Sequence, residues 1–211
     1  MIASAPPRPS PRLRRLVLAA IGLSVVAALV GNALLPVLLG RSPALLLAVQ
    51  SSYAQMGLAS PRLDPVTFVA VAAARRWVGE VVAFFGGRVL GADALLWYQR
   101  RGHAEVQLPA ALDGRKAGLR DLIVVAVPHP LLGALFGMAG MAPRRFVALK
   151  LLGSVLTVLL FRMAFGAVEA PLVSAADFVD ANVALLTAIG IVIAAILVWQ
   201  RRHEGRDDPD P

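Results

Sequence analysis

The chain has 211 residues, 58% of them hydrophobic and only 16% charged, with a mean hydropathy of +0.71. A soluble domain of that balance would expose large apolar patches, so the composition argues for a polytopic membrane protein over a water-soluble fold. The net charge is +8, but Lys and Arg cluster at the ends of apolar segments, which suits topology and anionic headgroups rather than nucleic acid; the absence of cysteine excludes disulfides and thiolate metal sites.

Residues 1–15 form a basic tail rich in Pro, Ser and Arg, expected to be disordered. Leu16–Leu39 carries no charge and reads as a spanning helix (16–39). The arginines before it also suit a signal peptide, but the apolar run is long for one and no small-x-small cleavage site follows. Within Arg41–Arg62, the apolar run of 42–60 is too short to span. It is interrupted at Gln50–Tyr53 and Gln55 and bracketed by Pro43 and Pro61. The expectation is a re-entrant hairpin, with an interfacial amphipathic helix as the alternative.

Asp64–Gly87 is long enough to cross a bilayer (span 64–87), yet Arg75, Arg76 and Glu80 sit in its middle. Val66, Phe68, Val69, Val71, Val78, Val81, Val82, Phe84 and Phe85 favour insertion by roughly 3–5 kcal/mol, and the three central charges oppose it by roughly 7–10 kcal/mol. The charges win, so this helix needs protein or water along its polar face. A polar connector (91–120) follows, with Ala92–Arg101 expected as a surface helix placing Trp97 and Tyr98 at headgroup level. Segment 121–140 is apolar but cut by Pro128-His129-Pro130 and by Gly133, Gly137 and Gly140, and reads as a second re-entrant element. Next come a span with embedded Lys150 and Arg162 (144–168), a short acidic loop with Glu169, Asp177 and Asp180, a last span (183–199) and a charged tail (201–211).

Basic residues fix the orientation. With the N-terminus in the cytoplasm and each interrupted segment returning to its own side, most of the 21 Lys and Arg residues fall on the cytoplasmic face. The motif P-x-x-F-V-A occurs twice, at Pro65–Ala70 and Pro143–Ala148, each time after an interrupted segment and at the start of a charged span. The predicted fold is therefore an all-α polytopic membrane protein of inverted repeats. Each repeat is a re-entrant hairpin followed by a spanning helix, with further transmembrane helices at both termini, all in one membrane domain (16–200).

The run Gly79-Glu80-Val81-Val82-Ala83-Phe84-Phe85-Gly86-Gly87-Arg88-Val89-Leu90-Gly91 resembles the G-D/E-x-x-x-aromatic-x-x-G-R-x-x-G signature of the DedA family, also called the VTT or SNARE-associated Golgi protein-like family. Pro128 through Gly140-Met141-Ala142-Pro143-Arg144-Arg145-Phe146 is similar to that family's P-x-x-R…A-G-M-x-x-x-x-F stretch. The shared region runs from about Leu35 to Gly166. The resemblance implies movement of a phosphate-bearing lipid, a polyprenyl-phosphate carrier or a phospholipid, across the bacterial inner membrane, with both termini cytoplasmic. It gives Glu80 the functional acidic position and Arg88 the signature arginine, with Gly79, Gly87, Gly91, Pro128 and Gly140 as motif positions. Two departures leave proton coupling and lipid choice open: Leu131 stands where the family has arginine, and Ser42–Gln50 lacks an acid.

Arg76 and Glu80, one helical turn apart, share a face with Arg75 adjacent. Either they neutralise each other as a buried pair, or the spare positive charge attracts a lipid phosphate, which arginine's planar donors bind through two oxygens. Lys150 and Arg162 either snorkel to headgroups or contact substrate. Arg88, Arg144 and Arg145 suit a cytoplasmic boundary. His129 either satisfies a kinked backbone or titrates as a switch. The expected partners are membrane lipids with anionic headgroups, with a proton as coupling ion and a second copy of the chain as further candidates. No cofactor, metal or nucleic acid is expected, and no nucleophile–base arrangement points to catalysis. The rival functions are a non-transporting membrane scaffold and a small-ion transporter.

Overall fold

Prolines and small polar residues set where the helices of this chain begin and end. The structure, a computed structural model, describes residues 10–100 and 117–204; the start of the expected N-terminal tail, most of the connector and the end of the C-terminal tail lie outside them. The described residues are all-helical, with no strand: α1 (Pro11–Ala33), α2 (Leu35–Arg41), α3 (Pro43–Val49), α4 (Tyr53–Ala59), a 3-10 turn (Ser60–Arg62), α5 (Pro65–Arg100), α6 (Ala117–Ala126), α7 (Pro130–Met138), α8 (Pro143–Ala167), α9 (Glu169–Ala181) and α10 (Val183–Glu204). The chain divides into two compact units, Met1–Ser24 with Arg76–Thr157, and Val25–Arg75 with Val158–Pro211.

Two helices, α1 and α8, are each long and apolar enough to cross a membrane. A third such stretch exists if α9 and α10, bent by 84° to one another, are taken as one span. Large aliphatic side chains stay exposed along them, among them Leu16 and Leu23 on α1, Leu160 and Met163 on α8, and Ile191 and Val192 on α10. A surface of that kind belongs against lipid.

Several element boundaries differ from the sequence expectation. Arg12, Arg14 and Arg15 are helical and not part of a disordered tail. Ser10 starts α1 early because its hydroxyl accepts from the Leu13 amide at 3.3 Å, with Pro11 at the first helical position. The predicted span 16–39 is split at Leu34, since Pro36 has no amide hydrogen to give the Asn32 carbonyl. Ala92–Arg100 is no separate surface helix but the continuation of α5, a helix of 36 residues. The acidic loop is helix α9, and Arg201–Glu204 extend α10 rather than open a tail.

In the unit containing Val25–Arg75, the break between α3 and α4 is built from Gln50–Ser52. Ser52 and Gln55 form a reciprocal capping box at the start of α4, and Gln55, 1% exposed, uses its amide nitrogen to reach Asn32 Oδ1 at 3.0 Å. Arg62 grips α9: it meets both Asp180 oxygens, at 2.6 and 3.1 Å, lies 3.7 Å from Asp177, and donates to the Leu39 carbonyl. That ion pair ties α9 to the 3-10 turn.

In the unit containing Arg76–Thr157, Phe84, Val124, Phe136, Met141 and Phe146 make the core, with Phe84 and Phe146 stacked at 4.3 Å between ring centres. Trp77 of α5 donates to the Val147 carbonyl of α8 at 3.0 Å. α7 lies so close to α5 that a Cβ on Gly87 would run into the Ala134 carbonyl, and one on Gly137 into the Phe84 carbonyl. α7 stops where Gly140 takes φ +75. The Met141 amide then bonds back to Phe136 and the Gly140 amide to Gly137, the two bonds of a Schellman end.

Candidate functional site: a charged cluster at the break between α6 and α7

Pro128 is the origin of the site. Lacking an amide hydrogen, it leaves the Val124 carbonyl one turn earlier without its helical donor, and the chain runs irregularly through Val127, Pro128 and His129 before α7 begins. Lys150 of α8 fills the gap, its ammonium donating to the carbonyls of Val124 and Val127, each at 2.9 Å. The same nitrogen lies 2.6 Å from Glu80 Oε2 of α5. Both side chains are buried, Lys150 2% and Glu80 3% exposed. Arg76 donates to the next carbonyl of the break, that of Pro128, at 3.3 Å. His129 caps α7 from the same break, its Nδ1 accepting from the Leu131 amide at 3.2 Å. A broken helix thus presents carbonyls to two cations, one of which, Lys150, pairs with a buried carboxylate.

The sequence-predicted site residues divide between the units. Glu80, Arg76, Lys150, Pro128 and His129 come together in this cluster. Arg88, on α5 two turns beyond Glu80, donates to the Met141 carbonyl at 2.9 Å just past the end of α7. Gly79 and Gly91 lie on α5, and Gly87 and Gly140 serve the close approach and the helix end already described. Arg75 and Arg162 belong to the other unit. Arg75 donates to the Val49 carbonyl at 3.0 Å, where α3 breaks off, and Arg162 donates to Ser60 Oγ at 3.0 Å with its guanidinium 5.9 Å from the Phe68 ring centre. Arg145 of α8 pairs with Asp121 of α6.

Lys150 does not snorkel: it turns inward, where two carbonyls of the break accept from its ammonium and the Glu80 carboxylate pairs with its charge. Sequence reasoning also passed over Ser154, buried one turn beyond Lys150, and Gln55, whose Ser52-x-x-Gln55 spacing is a readable capping signal. Among the described residues no three His, Cys, Asp or Glu side chains gather as a metal-ligand set.

Apolar helices with exposed aliphatic flanks, together with charges buried beside a broken helix, are features of a helical membrane protein. Comparison of the chain with protein-family models, with curated proteins and with solved structures finds no match in any of the three.

Proposed function

We propose that this protein moves a phosphate-bearing lipid between the leaflets of a bacterial inner membrane, as the DedA resemblance implies, with both termini in the cytoplasm. The observation that carries the reading is the cluster at a helix break of the buried pair Lys150 and Glu80 with the half-buried Arg76. An arginine beside a buried ion pair suits a phosphate, and ionisable groups buried in membrane proteins mark substrate paths by default. The re-entrant reading treats α3–α4 and α6–α7 as the two hairpins.

A repeat is supported by contacts that recur at the offset separating Pro65 from Pro143. Phe68 lies beneath Arg162, and the equivalent Phe146 stacks on the equivalent Phe84. The Val49 carbonyl and the Val127 carbonyl 78 residues on each accept from a cation, Arg75 and Lys150, although these two donors are not at matching positions. Inversion of the repeats rests on the distribution of basic residues.

One observation favours a second reading, a non-transporting scaffold. Lys150 is held within the protein by two carbonyls and by its pairing with Glu80, as a structural staple would have it. Reconstitution with a lipid panel separates the readings. Transport of phosphate-bearing lipids but not of an uncharged lipid supports the proposal. A scaffold moves none of them, and a small-ion transporter passes ions without lipid.

A further inference from the structure

α9 is turned 84° from α10, and α10 is uncharged from Val183 to Val198, close to the length a bilayer core requires. A helix set nearly square to a spanning one lies near the membrane plane. At 3.6 residues per turn, Leu172, Ala176 and Val179 share the side of α9 that is turned to protein, with Ala176 fully buried and Leu172 beside Gly57 of α4. Of the two flanks beside that face, one holds Asp177 and Asp180, with Val173 the aliphatic among them. The opposite flank holds Pro171, Ala175 and Phe178, all exposed, Phe178 to 62%.

The acidic flank is tied to polar structure. Arg62 holds Asp180 through both oxygens and stands near Asp177, and it also binds the carbonyl of Leu39 in α2. The joint is set by Asn182, whose side-chain nitrogen donates to the Phe178 carbonyl at 2.8 Å.

We propose that α9 is an interfacial helix lying flat on the bilayer where α10 enters it, with its Pro171–Ala175–Phe178 flank among the acyl chains and its Asp177–Asp180 flank at headgroup-level water. The occupant of the exposed Phe178 flank is lipid, because α10, the next helix in the chain, likewise leaves large aliphatic side chains exposed (Leu185, Ile189, Ile193). Reading α9 and α10 as one broken span would draw two carboxylates and the Arg62 clasp into hydrocarbon. With acid on one flank and apolar residues on the other, the helix is built to sit at a boundary rather than to cross it. The inference stands apart from the transport reading, since a scaffold or an ion transporter would carry the same helix.

The chain has no cysteine, so single cysteines report cleanly. Spin labels at Ala175→Cys, Phe178→Cys, Ser174→Cys and Asp177→Cys, with Ile189→Cys of α10 as the deep reference, are read in full-length protein in liposomes of phosphatidylglycerol and phosphatidylethanolamine. The expected result is a several-fold preference for oxygen over a water-soluble nickel chelate at 175 and 178, shallower than at 189, and the reverse preference at 174 and 177. Nickel access at all four positions would place α9 in water and overturn the proposal. Burial of all four as deep as 189 would make α9 part of a span and overturn it equally. Ala175→Cys and Ser174→Cys alone preserve the contrast if the Phe178 variant folds poorly.

Discussion

Pro128 has no hydrogen to donate, and much of the candidate site follows from that deletion. The Val124 carbonyl turns to Lys150, and Lys150 in turn brings a charge that Glu80 neutralises. Breaking a buried pair from one side leaves an uncompensated charge, at a cost of about 3–5 kcal/mol. Glu80→Gln and Lys150→Met should therefore each destabilise strongly in detergent unfolding titrations, the lysine variant more because two carbonyls lose their donor as well. The double variant should fall well short of the sum. His129 acts through its cap, so His129→Ala should cost about 1 kcal/mol and His129→Asn, which can still accept from the Leu131 amide, only a fraction of that in the same titration. That Arg76 and Glu80 share a face was legible from their spacing. That Lys150 would come in from α8 was not, because no local pattern records which orphaned carbonyl a distant ammonium will find.

At the scale of elements, breaks are easier to read than continuations. Gln50–Ser52 and Pro128–His129 interrupt apolar runs with residues that supply caps or withhold amides, and both interruptions stand in the structure where the sequence has them. α9 was illegible because its acids read as a solvated loop until Arg62, far away in sequence, is seen to clasp them. The extension of α5 to Arg100 was missed because Gly91 and the polar residues after it look like a stop, whereas nothing there breaks the helical hydrogen bonding. The contact of α7 with α5 was legible only as a density of glycines. Gly137→Ala drives a Cβ against the Phe84 carbonyl, which cannot yield as a side-chain tip would. It should cost at least the 1–3 kcal/mol typical of overpacking, about the upper end or beyond. Gly22→Ala in α1, where a Cβ meets nothing, should be neutral or stabilise by about 0.5–1 kcal/mol. Thermal unfolding of the two variants side by side checks the contrast.

For the whole molecule, composition alone pointed to a membrane, and the structure agrees in carrying helices long and apolar enough to cross one, with large aliphatic side chains exposed along them. The division into two compact units was not legible, because α1, α5 and α8 each run through both and no linker marks the boundary. The repeated P-x-x-F-V-A motif did mark two helix starts, at Pro65 and Pro143. Transport of the proposed kind requires that the arginine beside the helix break handles lipid phosphate. Arg76 is the residue to remove, since Lys150 and Glu80 also hold the fold together. In liposomes carrying a headgroup-labelled phosphate-bearing lipid, wild-type protein should move the label between leaflets. Arg76→Gln, losing a charged hydrogen bond to phosphate, should slow that movement by roughly tenfold or more. A folded Arg76→Gln protein that moves the lipid at the wild-type rate would contradict the account.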